Sequence, residues 1–458
     1  MEGCHFVQIL VWVIEGLMTV LSAWLVVLMF WQIAVSFFGF SKHTKNYKDH
    51  DPQMRFLVLV PAHNEEAVIG DIIDNLSHMD YPREMYDFYS LADNCTDRTA
   101  EVARSMGAKV LESHKDGPDG PTGKPIALQK ALKALDGYQD KYDLVMFFDA
   151  DNLADPGMFR EVNSQYLDAG DDVVAIQCYL GAKNRKGLVA FFYYMSYTIT
   201  NRFFQCAKSR MGLNSVIGGT GFAVSAKYLH DRGGWTAMSL TEDFELQVEA
   251  TCEGKRILWN NNVRIYDEKP TRFKASFRQR TRWAQGHWFV AFKNTGRLFQ
   301  ALVKRRISFG EFFSTFLYLY SLTPFVILAL EMALGLVESI LKHFGLVEIV
   351  GASASAASWV MVNIPGVLIF CYSFLFLFCM AEWLDNHIRF RLKELPMLLL
   401  SMLTNTLVAG WAQVVGLFKF RQQSNWVKTE HSLHEQKDLT VNLSDVGLGG
   451  DDTSSLNA

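Results

Sequence analysis

The chain has 458 residues, 50% of them hydrophobic, 13% aromatic and only 20% charged, against about 25% charged in soluble proteins. The deficit is local: residues 6–38, 312–337, 359–381 and 395–418 hold 106 residues and two charges, Glu15 and Glu331. This excludes a wholly soluble protein, a disordered chain, a collagen and a disulfide-rich secreted module. The net charge of −4 hides a contrast: residues 264–306 carry twelve Lys or Arg against two acids, whereas residues 435–458 carry five acids and one Lys. A basic segment beside apolar spans suits anionic lipid, a phosphorylated substrate, or both. The seven cysteines form no CxxC pair and no metal-ligand spacing, which fits a reducing cytosol.

In chain order, residues 16–38 give 23 positions without a charge, enough to cross about 30 Å of hydrocarbon. No basic n-region precedes them and no small-residue cleavage site follows, so they read as an anchor rather than a cleaved signal. Lys42, Lys45, Lys48 and Arg55 follow directly, which puts the next segment in the cytoplasm. Residues 56–60 (FLVLV) read as a buried parallel strand, and Val68, Ile69, Ile72, Ile73 and Leu76 keep helical spacing. Strands at 86–91, 109–111 and 144–148 and helices at 100–106 and 125–135 continue the alternation, with Thr96 and Asp97 as N-cap types and Gly107 as a C-cap. Such alternation predicts a doubly wound α/β sheet, which binds ligands at the carboxyl ends of its strands. The polar clusters 62–66, 93–97 and 149–151 fall there. No GxGxxG follows the first strand and no P-loop occurs; residues 116–123, with three glycines and two prolines, read as a mobile loop.

Residues 188–206 and 298–306 have amphipathic character and could lie on a membrane surface; the first could equally be a core helix. Residues 312–337 and 359–381 read as an outward and an inward crossing, followed by Arg389, Arg391 and Lys393. Residues 395–418 are long enough for another, but Lys419, Arg421 and Lys428 would then lie outside, against the positive-inside rule, so the count is three or four. The expected division is a membrane helix at 1–41, a cytosolic domain at 42–295, an interfacial segment at 296–311, a membrane region at 312–420, and a juxtamembrane stretch with a disordered acidic tail at 421–458.

Three clusters carry chemistry. Asp149-Ala150-Asp151 at a strand end offers hard oxygen ligands that Mg²⁺ or Mn²⁺ could share with a diphosphate, or it is a solvated acidic turn. Thr241-Glu242-Asp243 is either a capped helix start or the site of a general base, Asp243. Gln279-Arg280-Thr281-Arg282-Trp283 offers a cation for a leaving diphosphate and a ring for a sugar face, or anchors a membrane surface.

Taken together with PAHNEE (61–66), DNCTD (93–97), GK (123–124) and GGTGF (218–222), these motifs stand in one order. The chain resembles the membrane-embedded inverting glycosyltransferases of the family-2 type, which include cellulose, hyaluronan, chitin-oligosaccharide and poly-N-acetylglucosamine synthases. The resemblance covers residues 54–300 and extends to the membrane layout. It implies a GT-A-like nucleotide-sugar-binding sheet in the cytosol flanked by transmembrane helices. It further implies that Ala62, Glu65 and Asp93 form the uridine pocket and that Lys124 lies against the nucleotide. Asp149 would stand near ribose and metal, and Asp151 would bind the metal directly. Gly219, Thr220 and Gly221 would form a turn below the acceptor, and Asp243, beside Glu242, would be the catalytic base. Gln279, Arg282 and Trp283 match QxxRW, with Arg282 on the pyrophosphate and Trp283 at the acceptor. Asp97 reads instead as a helix cap and His287 as a packing residue. The gating loop of cellulose synthases and a cyclic-dinucleotide module are not found; the run Arg282–Gly286 (RWAQG) is closer to poly-N-acetylglucosamine synthases.

These expectations amount to a multi-pass bacterial plasma-membrane enzyme with its catalytic domain in the cytoplasm. Its partners are a UDP-sugar donor, a glycan or lipid acceptor and the bilayer, with no nucleic acid. Three or four crossings make a narrow pore, so a processive synthase would call on an accessory subunit or a second copy. A non-processive transferase acting on a lipid or short acceptor is the alternative. A non-catalytic membrane protein is disfavoured because Asp151 and Asp243 are intact.

Overall fold

The computed structural model describes residues 2–42, 45–115, 117, 120–343, 373–386 and 395–423. The helix α1 (Glu2–Phe37) precedes an alternation of β1 (Phe56–Ala62), α2 (Ile69–Ser77), β2 (Tyr86–Asp93), α3 (Thr99–Ser105), β3 (Lys109–Ser113), α4 (Lys124–Ala134), α5 (Tyr138–Lys141) and β4 (Leu144–Phe147). After these come β5 (Leu153–Ala154), α6 (Met158–Leu167), β6 (Val173–Ala182), α7 (Leu188–Thr200), a π-helical turn (Asn201–Cys206), α8 (Ala207–Arg210), β7 (Phe222–Ser225), α9 (Ala226–Asp231), α10 (Glu242–Cys252) and β8 (Arg256–Asp267). The rest is helical: α11 (Phe273–Val303), α12 (Phe309–Leu319), α13 (Thr323–His343), α14 (residues 373–385) and α15 (Leu395–Phe418).

All eight strands form one sheet in the order β3-β2-β1-β4-β7-β6-β8-β5. The first four pair in parallel, as the alternation predicts. The sheet is nevertheless mixed: β7 runs antiparallel to β4 and β6, and β5 antiparallel to β8. The expectation of a purely doubly wound sheet fails at β7, which enters from the turn at 218–221 rather than from a crossover helix. Period-two alternation in β1 explains the two layers around the sheet. Phe56, Val58 and Val60 join Ile69, Ile72, Ile73 and Leu76 of α2 on one face, and Leu57 and Leu59 join Leu128 and Leu132 of α4 on the other.

The helices form a second layer. Phe244 and Val248 of α10, Val290, Ala291 and Leu298 of α11, and Phe312 and Leu319 of α12 share one apolar cluster. Ala182, Tyr194 and Met195 meet Phe378 of α14 and Leu398 of α15 in another. Among the described residues two helices are long and apolar enough to cross a membrane, Trp12–Phe37 and Leu395–Phe418. The span expected at 312–337 is broken: α12 and α13 meet at a bend of 51°. Counting that pair as one span gives three. Ser22 donates to Glu331 (3.0 Å) and the Trp24 indole to Thr323 (2.8 Å), which ties α1 to α13. The stretch 188–206 is a core helix rather than a surface one, with Val189, Ala190, Tyr193 and Met195 buried. Residues 296–303 continue α11 instead of forming a separate interfacial element. The crossing expected at 359–381 is described only from 373, and the acidic tail lies outside the described residues.

Candidate active site

The carboxyl ends of β1, β2 and β4 open into a cleft of about 1660 Å³. Two of its turns need a left-handed backbone: Asn64 (φ 56°) after β1 and Asn94 (φ 50°) after β2. Asparagine adopts that conformation more readily than most residues. Asn94 also donates to Asp93 (2.9 Å), and Ser113 on the adjoining strand donates to the same oxygen (2.7 Å). The Asp93 carboxylate is therefore buried but fixed, at the edge of the cleft beside Ala62 and Glu65. The Asp97 carboxylate accepts from the backbone N–H of Thr99 (3.0 Å), but the N-cap position of α3 is Arg98, which makes no side-chain cap bond.

At the end of β4 the Asp149 N–H donates to Asn152 (2.9 Å) and to Thr220 (3.1 Å), and the Thr220 hydroxyl donates to Asn152. Thr220 thus braces the acidic turn. Asp151 accepts from Asn152 (3.1 Å) and from the backbone of Glu268 (3.2 Å). The Asp149 side chain stays 42% exposed to the cleft, and its other contact is the Lys124 ammonium at 2.6 Å. Lys124 also donates to the Gly219 carbonyl (2.6 Å) and stands 3.8 Å from Glu242. Gly219 has φ +85°, and a Cβ there would come 3.4 Å from the Asp243 carboxylate, so this turn lies directly beneath the candidate base. Gly221, expected beside the acceptor, is not part of the cleft wall. Its N–H donates to Phe147 (2.8 Å), and a Cβ would lie 2.5 Å from Ile265, so its smallness serves sheet packing.

Thr241 precedes α10, yet its hydroxyl makes no cap bond and finds no partner among the described residues. The helix-start reading therefore does not account for this threonine. Glu242 is buried, and Asp243 beside it is partly exposed to the cleft. Burial pushes the Glu242 carboxyl up to about 7, opposed by Lys124 and reinforced by Asp243. Burial likewise raises Asp243, with Asp149 adding to it and the Phe244 N–H and Lys124 opposing. Burial works against charge on Lys124, but Asp149, Glu242 and Asp243 outweigh it and raise its pKa. Arg282 is lowered by burial against the same three carboxylates. Two partly buried cations, Lys124 and Arg282, thus face a cluster of carboxylates at the strand ends, which is an arrangement suited to anionic phosphate.

The QxxRW residues lie on α11. Gln279 accepts from the Tyr193 hydroxyl (2.9 Å), and the Trp283 ring meets Tyr193 edge-on with centroids 6.1 Å apart. Tyr193 was not singled out by sequence; it sits in the FFYYM run, where only its helical register would have pointed at α11. Beyond Trp283 the cleft is walled by Tyr197 and Thr200 of α7, Asn201 and Phe204 of the π turn, Tyr318 of α12, and Ala409 and Gln413 of α15. The His287 Nε2–H donates to the carbonyls of Tyr318 (3.1 Å) and Leu319 (3.0 Å), and the ring stacks on Phe244, the packing role expected of it.

The sequence matches the model described as "Glycosyltransferase like family 2" over residues 52–286, more than half of the chain. The chain belongs to glycosyltransferase family 2. The matched segment of this glycosyltransferase runs from β1 into α11 and holds every candidate residue above. The chain is 24% identical over 286 residues to the "Probable glycosyltransferase YdaM" of Bacillus subtilis, covering 62% of this chain and 67% of that one. It is 27% identical over 237 residues to the "Beta-monoglucosyldiacylglycerol synthase" of Synechocystis, covering 51% of this chain and 48% of that one. The chain thus spans about half the length of that relative. In fold it is similar to the mannosyltransferase PcManGT from Pyrobaculum calidifontis, solved with GDP-Man and Mn²⁺, at a TM-score of 0.54 and 18% identity, covering 81% of this chain and 96% of the other. The fold is therefore of the GT-A-like α/β type with a mixed sheet.

Proposed function

We propose that this protein is a membrane-bound inverting β-glycosyltransferase that moves a hexose or N-acetylhexosamine from a UDP-sugar to the end of a growing glycan. The observation that carries the reading is the composition of one cleft. Its sheet side is carboxylate-rich and carries Lys124, and its helix side brings Arg282 of α11 together with aromatic and amide side chains, with walls from α12 and α15. Its volume exceeds the 300–1,000 Å³ or so of ordinary ligand pockets, which leaves room for an extended acceptor next to the donor. Uridine would sit at Asp93, and the diphosphate would lie toward Lys124 and Arg282. The donor set at Asp149 and Asp151 fits Mg²⁺ or Mn²⁺, which commonly take one or two carboxylates and draw their remaining oxygens from substrate phosphates and water. Such an ion, held by Asp149 and Asp151, would neutralise charge on the diphosphate.

Asp243 takes the proton from the acceptor hydroxyl as that oxygen bonds to the anomeric carbon. The bond from that carbon to the diphosphate oxygen breaks, and UDP leaves with the electron pair. Arg282 and Lys124 stabilise the charge that develops there. One displacement from the opposite face inverts the centre, so an α-linked donor gives a β-linkage. The chain would lie in the plasma membrane as a multi-pass protein with the sheet domain in the cytoplasm, and export of a polymer would call on an accessory subunit or a second copy. A lipid acceptor with single addition is the second reading, favoured by the similarity to monoglucosyldiacylglycerol synthases. The test is purified protein in nanodiscs with a panel of radiolabelled UDP-sugars and Mn²⁺, followed by organic extraction and sizing. Aqueous polymer supports the first reading, and label in the organic phase supports the second. Absence of transfer from every UDP-sugar removes both.

A further inference from the structure

The backbone of Leu240, two residues before Glu242, is held on both of its flanking peptide units. Its N–H donates to the Gln423 side-chain carbonyl at 2.8 Å, and its C=O accepts from the Arg282 guanidinium at 3.5 Å. Gln423 lies just beyond α15, in a strap that runs from Lys419 and is locked to α11. The Gln423 amide donates to the carbonyls of Gln285 (3.3 Å) and Phe420 (2.6 Å), and Gln285 donates back to Lys419 (3.4 Å). Two glycines permit the approach. A Cβ at Gly416 would lie 2.4 Å from the Cβ of Ala284, and one at Gly286 would lie 2.5 Å from the Thr241 hydroxyl and 2.7 Å from its backbone nitrogen. The layers α15, α11 and the turn before α10 are therefore in contact with no slack between them. From within the domain Glu245 accepts from the Ser239 N–H (2.7 Å), with Lys293 of α11 on its other oxygen.

We infer that Gln423 is a positioning residue for glycosyl transfer: it holds the Leu240 backbone, and through it sets where Arg282 and the carboxylate of Asp243 stand. The 3.5 Å contact to Leu240 is long for a charged donor, so Arg282 is parked there and free to turn to phosphate, while the 2.8 Å bond from Gln423 keeps the turn fixed as it does so. The strap is itself a wall of the cleft, with Arg421 and Gln423 both facing it. A membrane-side helix is thereby connected to the base through one amide. This inference rests on the proposed transferase reading.

The experiment uses full-length protein in nanodiscs with Mn²⁺. Gln423→Met keeps the length and removes both hydrogen-bonding atoms; Gln423→Glu keeps an oxygen for the Leu240 N–H. The expected result is a kcat roughly 10- to 100-fold lower for Gln423→Met, the scale of a misplaced catalytic group, with KM for the UDP-sugar, UDP affinity and melting temperature held. Gln423→Glu keeps the bond to Leu240 but gives up the donor to the Gln285 and Phe420 carbonyls, so its kcat falls less than that of Gln423→Met. A Gln423→Met enzyme with wild-type kcat, one that loses UDP affinity in step with kcat, or a Gln423→Glu enzyme that falls as far would each overturn the inference. Amide hydrogen exchange of residues 238–243 reads the same clamp without turnover: it should quicken in Gln423→Met and not in Gln423→Glu. If the wild type transfers no sugar at all, the functional reading fails, and exchange alone decides the clamp.

Discussion

The two walls of the cleft are built in opposite ways. On the sheet side, Asp93, Asp149 and Asp151 stand at the ends of paired strands, each braced within its own turn or by the neighbouring strand. On the helix side, Tyr197, Trp283, Tyr318 and Gln413 come from four helices far apart in sequence and meet only through packing. Charge chemistry demands carboxylates held to a fraction of an ångström, and strand ends supply that. Recognition of an acceptor tolerates more movement, and side chains brought together by helix packing can supply it. Asp243 sits where the walls meet, above Gly219 of the sheet side and on a helix packed against α11.

That position makes Asp243 the most damaging place to cut. Asp243→Asn should lower turnover by roughly 10²- to 10⁴-fold, the usual worth of a positioned base, while UDP binding by calorimetry is kept. Because burial raises this carboxyl, wild-type turnover should also fall with decreasing pH at a midpoint above the ordinary aspartate range near 3.8. Retained turnover in Asp243→Asn would remove the residue from the base role. The sheet wall is tested next, by chelation. EDTA should abolish UDP binding together with transfer, and added Mn²⁺ should restore both. Asp151→Asn should need more Mn²⁺ for half-maximal UDP binding, by roughly 10- to 100-fold. UDP affinity indifferent to EDTA would show that Lys124 and Arg282 hold the diphosphate unaided.

The helix wall predicts a smaller and different effect. Trp283→Ala removes a ring that Tyr193 supports edge-on. It should weaken acceptor use up to roughly tenfold, the scale of one aromatic contact, and shorten the product, while UDP affinity stays at the wild-type value. A loss of UDP affinity instead would place Trp283 on the donor side and undo the division of the cleft into two walls.

The same contrast decides what could be read from the chain. The first four strands, the helices between them and the carboxylates at their ends follow from local patterns: a continuous apolar run, period-3.6 spacing and acids at run ends. The antiparallel β7 was hidden because strand direction depends on which partner a segment meets, and FAVS (222–225) has no directional signature. The break in the span at 312–337 carries no charge; its mark in the chain is Pro324, in the first turn of α13, which an unbroken apolar span passes over. Gly221 was misassigned because a motif reads as one unit, whereas here Gly219 faces Asp243 and Gly221 faces Ile265. Tyr193 and Gln423 were missed because each acts through a partner 86 or 183 residues away.

The smallest predicted effect concerns stability at the seam between the walls. Glu242 is buried and its carboxyl is raised from 4.5 to about 7, burial being the main cause. A carboxyl raised in the folded state binds its proton more tightly there than in the unfolded chain. Its favourable contribution is present in full below pH 4.5 and is lost as pH rises through about 7. Above that point the folded protein holds a buried carboxylate that the Lys124 ammonium at 3.8 Å only partly offsets. Glu242→Gln removes the ionisation but keeps the shape. Its melting temperature should match the wild type near pH 4.5 and exceed it by a few degrees at pH 8, a stability–activity exchange of the kind active sites often show. Were the Lys124 pairing the stronger term, the variant would instead melt below the wild type at pH 8. The sign of that difference therefore tells whether the seam is held together by its charges or strained by them.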